Sequence, residues 1–331
     1  MQEATHTLIA VLDWGLGHAS RCVPLIRQWQ AEGQHVVVAS SGSALQLLRI
    51  AVPDCEWIEL PAYRITYPSN NMVWNMARQV PHIAKVVWQE HYILRHYCQQ
   101  QKVARVVSDG RFGCFDNKKN SIWMAHQLQI QHANVVVRRL ANALYHAWVR
   151  RHFGAVWIPD VPTADSLAGN LAKPLAGLST TWLGPLSRFA NQPTTASETT
   201  YNWVAILSGP EPQRTRLEEK ILQQLPLIPG KHLLIRGVPG DTHPTPLYEN
   251  IDSVDWLTGD DLHARVMAGS KLICRSGYST LMDLHYWKKR ALLIPTPGQT
   301  EQVYLAQYWQ QMGWAKWQPQ DELDIMSAEL L

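Results

Sequence analysis

Two groups of residues in this 331-residue chain have the types and spacing to act on a phosphate-bearing ligand. The first is Asp13-Trp14-Gly15-Leu16-Gly17-His18, which directly follows the apolar run 8–12. Glycine at 15 and 17 lets the backbone bend tightly and approach a substrate without a Cβ, while the free N–H groups of a new helix favour negative charge. His18, opening that helix, titrates near neutral pH. It suits a general base on an acceptor hydroxyl or a water, or a hydrogen-bond donor to phosphate. The purely structural alternative is a strand-to-helix turn in which His18 caps the helix. NAD binding is disfavoured, because no acidic residue ends the second expected strand, 35–40, where a ribose would be held.

The second group is Cys274-Arg275-Ser276-Gly277-Tyr278-Ser279-Thr280-Leu281-Met282-Asp283. Ser276, Gly277, Ser279 and Thr280 offer hydroxyls and backbone N–H groups to a diphosphate, and Asp283 can accept from two ribose hydroxyls. A further loop, Pro295-Thr296-Pro297-Gly298-Gln299-Thr300, leads to Glu301 and Gln302, whose carboxylate and amide suit sugar hydroxyls. Taken singly, Asp283 reads as a surface residue and Glu301 as a carboxylate favoured by a helix dipole.

These residues need a scaffold, and the hydrophobic pattern supplies one. Strand-like runs at 7–12, 35–40 and 56–60 alternate with helical patterns at 19–32 and 44–50, the rhythm of a parallel βαβ sheet. A long helical stretch, 71–101, precedes strands at 103–107, 122–125 and 155–158, with a helix at 134–153 between the last two. Six or seven strands are expected there. Residues 181–185 and the polar stretch 191–200 read as linker. A second series follows, with strands at 203–207, 233–236, 253–257, 271–274 and 291–294 and helices at 214–224, 260–268, 278–287 and 301–312. The expected class is α/β, two doubly wound Rossmann-like domains facing a central cleft. The N-terminal domain is 1–188, the linker 189–200 and the C-terminal domain 201–331, with a last helix able to pack back on the first domain. All the candidate turns fall at the carboxyl ends of strands, where open α/β sheets bind ligands.

In order and spacing, the segment from Ser276 to Gln302 resembles the MurG-like family 28 glycosyltransferases of the GT-B superfamily. Their C-terminal domain carries an SG-x-S/T-x-x-E/D turn, a P-x-P loop and a Gln opening the next helix. The resemblance implies Asp283 on the nucleotide ribose and Glu301 and Gln302 on the donor sugar. Gly15, Gly17 and His18 resemble the family's G-x-G-H element, which makes His18 the candidate for catalysis or acceptor-phosphate contact. Ser208 and Gly209 are similar to its diphosphate-binding turn. Arg188 stands where the family places a linker arginine, whose fork would neutralise the leaving nucleotide. Leu257, with Trp256, aligns with the segment whose backbone reads the base.

By the same resemblance the donor is a UDP-HexNAc such as UDP-GlcNAc, the acceptor a glycan or lipid-linked molecule of the cell envelope, and the transfer inverting. Gly17-His18-Ala19-Ser20-Arg21-Cys22 is also similar to the GH-x-x-RC start of related nucleotide-sugar hydrolases, in which the histidine activates water. A non-catalytic nucleotide-binding module is the third alternative. Ser108-Asp109-Gly110-Arg111-Phe112-Gly113 resembles an SD-x-R-x-G turn of transferase-like proteins, which leaves Asp109 either a second base or a partner of Arg111.

Composition narrows the field. A hydrophobic content of 46% excludes a disordered chain, and a formal charge of +3 is too weak to imply nucleic acid. Five scattered cysteines without CxxC spacing indicate neither a disulfide framework nor a cysteine zinc site, and fit a reducing cytoplasm. No apolar stretch reaches membrane-spanning length and no signal peptide is recognisable. Neither cofactor nor catalytic metal is expected, since an Asp-x-Asp pair is missing and Asp260-Asp261 read as helix-capping. The helix at 135–153 mixes Arg138, Arg139, Arg150 and Arg151 with Leu140, Leu144, Trp148 and Val149. Such a face could rest peripherally on anionic lipid at the inner side of a membrane, or be a solvated face packed on its apolar side. Trp88, Trp309, Trp314 and Trp317 are expected in packing roles.

Overall fold

The computed structural model describes residues 6–65, 72–132, 134–190, 192, 200–238 and 248–330. The chain divides into two compact units, Met1–Ser187 and Arg188–Leu331, so Arg188 belongs with the second. Most of the polar stretch 191–200 lies outside the described residues.

The first unit runs β1 (His6–Val11), α1 (Leu16–Ala31), β2 (His35–Ser40), α2 (Gly42–Ala51), β3 (Glu56–Glu59), α3 (Met72–Gln100), β4 (Val103–Asp109), β5 (Ser121–Met124), α4 (Val135–His152), β6 (Ala155–Ile158) and β7 (Ser179–Trp182). Its seven strands are ordered β3-β2-β1-β4-β5-β6-β7, all parallel. Alternate side chains of a strand point to opposite faces. Thus Ile9 and Val11 join Trp29, Ala44 and Leu48 beneath α1 and α2, while Leu8 and Ala10 join Leu94 and Val106 on the other side. Coverage of both faces explains why these strands read as near-continuous apolar runs.

The second unit repeats the plan with β8 (Tyr201–Ile206), α5 (Gln213–Gln224), β9 (His232–Ile235), β10 (Ile251–Val254), α6 (Gly259–Met267), β11 (Gly269–Cys274), α7 (Tyr278–Trp287), β12 (Arg290–Leu293), α8 (Thr300–Gln311) and β13 (Lys316–Trp317). The order is β10-β9-β8-β11-β12-β13, again all parallel. Each sheet therefore reverses its winding once, between β1 and β4 and between β8 and β11. Beyond the carboxyl ends of those strand pairs a doubly wound sheet leaves its ligand crevice.

One expectation needs correction. Residues 181–185, read as linker, contribute to β7, a half-exposed edge strand whose Thr180, Thr181 and Trp182 favour extended backbone. The Gly184-Pro185 turn directly after it masked a strand too short to show periodicity. The segment after β13 packs within its own unit. Leu323, Ile325 and Ala328 join Leu217 and Ile221 of α5, and the Gln224 side chain holds Leu323 O at 2.7 Å and Ile325 N at 2.8 Å. Among the described residues no helix is long and apolar enough to cross a membrane.

Candidate active site

The turn after β1 and the end of β4 meet at the first winding reversal, and there His18 faces Asp109. Gly15 adopts φ 89°, a left-handed conformation that suits glycine, and starts α1 without any side-chain cap. His18 is thus no helix cap. Its Nδ1 lies 3.0 Å from Asp109 Oδ2, with 21% of the His18 side chain exposed and Asp109 fully buried. Gly110 sits so close that a Cβ there would lie 3.3 Å from His18 Cε1 and 3.1 Å from Leu12 Cδ2. A larger residue after Asp109 would press on the imidazole.

Arg21, one helical turn beyond His18, fixes this pair. Its Nε donates to both Asp109 oxygens at 3.1 and 3.2 Å, Nη2 donates to Oδ1, and Nη1 lies 3.0 Å from His126 Nδ1. A guanidinium has donors only, so His126 must accept at Nδ1 and carry its own proton at Nε2 when neutral. Arg21 Nη2 also lies 2.9 Å from His18 Nδ1. Nδ1 thus stands between a donor-only nitrogen and a carboxylate that only accepts; with Nη2 committed to Asp109 Oδ1, the His18 proton goes on Nδ1, donated to Asp109 Oδ2, and Nε2 is the basic atom.

Burial alone would raise the pKa of Asp109, but the charges of Arg21 and His18 and their hydrogen bonds hold its carboxyl well below the usual range. Asp109 is therefore a fixed anion that orients His18, and the reading of it as a second base is replaced by that one. Burial, then the Arg21 charge, lower the pKa of His18, opposed by Asp109. The imidazole stays neutral and basic at neutral pH.

The alternative partner of Asp109, Arg111, is engaged elsewhere. It donates to Val11 O at 2.7 Å, Pro61 O at 3.2 Å, Glu90 Oε2 at 3.1 Å and Ser41 Oγ at 2.5 Å. Glu90 in turn accepts from Tyr63 O–H and Gly113 N–H, both at 2.7 Å. Asp13 accepts from Ser41 at 2.9 Å. This fully buried pair, Arg111 with Glu90, ties the loops after β1, β2, β3 and β4 into one floor. Sequence reasoning missed Arg21, Glu90 and Tyr63 as site-forming residues. For Arg21 a signal existed: positions 18, 21 and 22 share one helix face, and Cys22 Sγ indeed reaches Asp109 Oδ2 at 3.3 Å.

In the second unit, Ser208 and Gly209 follow β8, and Arg275 through Thr280 follow β11, at the second winding reversal. Ser208 and Gly209 are exposed, with Gly209 at φ 107°. Arg275 is buried beneath them, its donors spent on the carbonyls of Ser208, Gln213, Ile294 and Pro295. Burial draws its pKa down to about 10, so it remains a cation at neutral pH. Gly277 precedes α7 with open space where a Cβ would stand, and Ser279, Thr280 and Asp283 lie half-buried in that helix.

Ser276 differs from expectation. It is fully buried and donates to Gln302 O at 2.8 Å, so it locks two loops together in place of presenting its hydroxyl. Gln302 likewise spends its amide inside the loop, accepting from Thr296 N at 2.9 Å and donating to Gln299 Oε1 at 2.5 Å. Half-buried Glu301 precedes it in the first turn of α8. Leu257 lies half-buried between β10 and α6. Arg188 rests over the Phe189 ring at 4.8 Å, and its Nε has no hydrogen-bond partner. Phe189 is anchored against His263 and Trp287.

Neither a protein-family model nor a curated protein matches the sequence. Solved structures do match, and they define the class of the scaffold. The glycotransferase of kitacinnamycin superposes with a TM-score of 0.68 at 14% identity, covering 99% of this chain and 89% of that one. Arabidopsis thaliana UGT89C1, complexed with UDP-L-rhamnose, gives 0.65 at 12% identity over 99% and 89%. MurG of Acinetobacter baumannii gives 0.59 at 13% over 98% and 89%. The chain has the GT-B fold. The likeness does not single out family 28, since MurG superposes less well than the kitacinnamycin protein.

Proposed function

We propose that this protein is a nucleotide-sugar-dependent glycosyltransferase in which His18, oriented by Asp109, removes the proton of an acceptor hydroxyl. The carrying observation is the His18–Asp109 contact of 3.0 Å at the winding reversal of the first sheet. A neutral imidazole with its proton fixed on the carboxylate side is a competent general base at neutral pH. As the hydroxyl attacks the anomeric carbon, its proton passes to His18 Nε2, the bond to the diphosphate breaks, and configuration inverts.

The second unit takes the donor. The exposed turn at Ser208 and Gly209, the start of α7 at Gly277, and Ser279 and Thr280 receive the diphosphate, with Arg275 charged beneath them. Asp283 takes the ribose, the backbone at Leu257 the base, and Glu301 the sugar. Arg188, with an uncommitted Nε, approaches the leaving diphosphate. These groups supply the charge stabilisation without a metal. UDP-HexNAc is the donor to test first.

Two surfaces of the first unit bear on the acceptor. Trp88 and Tyr92 stack at 6.0 Å, both about two-thirds exposed, beside a groove of about 470 Å³ that also involves Leu60, Pro61 and Ile93. They suit the C–H face of a sugar or a flat aromatic ring. On α4, Val136, Leu140 and Leu144 point outward near exposed Arg139, which favours peripheral seating on anionic lipid over a face packed on its apolar side.

A second reading, a nucleotide-sugar hydrolase, rests on Arg21 and Cys22 of the GH-x-x-RC segment, which both contact Asp109. Incubation with UDP-sugars decides. UDP release that needs a glycan or lipid-linked acceptor supports transfer, acceptor-independent sugar release supports hydrolysis, and binding without turnover sinks both. Unchanged turnover in His18→Ala would remove His18 from its role.

A further inference from the structure

The opposite edge of the first sheet carries a second cluster. β1, β2 and β3 begin with His6, His35 and Glu56, and Tyr97 lies in the last turn of α3, so four chain segments distant in sequence converge there. His6 and His35 are register partners whose rings stand 4.3 Å apart. His35 Nε2 lies 3.0 Å from Glu56 Oε2. Tyr97 donates its hydroxyl hydrogen to Glu56 Oε1 at 2.8 Å and lies 3.3 Å from His6 Nδ1. One ligand atom from each of His6, His35 and Glu56 falls within 4.8 Å of the other two.

We propose that His6, His35 and Glu56 form a binding site for a divalent transition-metal ion of the zinc class, with Tyr97 holding the carboxylate in place. Two imidazoles and one carboxylate are a donor set that zinc accepts, with a water completing the tetrahedron. Bonds of about 2.0–2.1 Å place tetrahedral ligand atoms roughly 3.4 Å apart. The His35–Glu56 pair, at 3.0 Å, is already near that span, and the proton between them can be exchanged for the metal with a shift of a few tenths of an ångström; the His6 ligand atom stands within 4.8 Å of both.

Tyr97 supplies the outer contact such sites need, binding the carboxylate oxygen that the metal leaves free. His35 and Glu56 are 43% and 40% exposed, which gives an ion access. An exposed histidine–carboxylate pair contributes little stability by itself, whereas a metal would clip three strands and α3 together. A six-residue strand spans roughly 20 Å, so this ion would not touch the chemistry at His18. The site stands independently of the glycosyl-transfer reading.

Tag-free, chelator-stripped full-length protein is titrated with zinc against a chromogenic chelator, with thermal unfolding followed in parallel. One ion per chain and a raised melting temperature are expected. His35→Ala and Glu56→Gln should each weaken binding at least tenfold, and Tyr97→Phe by about 10–100-fold. His96→Ala, an exposed histidine outside the cluster, should bind as wild type, and circular dichroism checks that each variant is folded. Equal zinc affinity in wild type, His35→Ala and Glu56→Gln, or no saturable binding at micromolar zinc, overturns the proposal.

Discussion

At the scale of single residues, the site is governed by one fixed charge. Arg21 holds Asp109 ionised, Asp109 sets which nitrogen of His18 carries the proton, and His18 is left basic. Removing His18 should cut turnover by about 10²–10⁴-fold, measured as kcat with a saturating donor. The pH profile tests the electrostatics. A base is lost as pH falls through its pKa, and burial with the Arg21 charge lowers that of His18. The acid limb of kcat/KM should therefore lie below pH 6.5. Arg21→Met removes a lowering charge, so the limb of any residual activity should move to higher pH. It also leaves Asp109 buried without its cation and should cost about 3–5 kcal/mol in urea unfolding. An unmoved limb would mean that Arg21 only packs. His18 and Asp109 were legible as separate candidates, but their contact was not, because they stand 91 positions apart in the sequence.

At the scale of elements, function depends on the strand ends staying in place. Most strands and helices could be read from periodicity, since a sheet covered on both faces leaves apolar runs and α1, α5 and α8 leave helical ones. β7 and β13 could not, being short edge strands with few apolar residues. The loops carry the harder constraints. Gly237 has φ 72°, and a Cβ there would lie 2.3 Å from Leu207 O, next to the Ser208–Gly209 turn. Gly237→Ala should lose about 1–2 kcal/mol from the left-handed backbone alone, more from the overlap, and weaken UDP binding. Urea midpoints and UDP titration measure both effects. Ser276→Ala should cost about 1 kcal/mol by freeing the loop that begins α8. Ser276 was expected to touch the donor, and the structure shows it bracing Gln302 instead.

At the scale of the whole molecule, two units with separate cores imply separable stability. Ile325 is fully buried against α5, so Ile325→Ala should destabilise the second unit by about 2–5 kcal/mol. Differential scanning calorimetry should show one transition falling while that of the first unit stays. UDP should raise the transition of the second unit alone, because a ligand stabilises the state that binds it. If UDP instead shifted only the first, the donor site would be on the wrong unit.

The sequence by itself determined the alternation of strands and helices, two doubly wound units, and the turns at their strand ends where ligands bind, because glycine, β-branched residues and apolar periodicity act locally. Only the tertiary structure decided which side chains meet. It paired Asp109 with Arg21 and left Arg111 to Glu90, turned Ser276 and Gln302 inward, sent the last segment to α5, and gathered His6, His35 and Glu56 at one edge. Those outcomes follow from long-range register and from the need of each buried polar group to find a partner, and neither leaves a local mark in the chain.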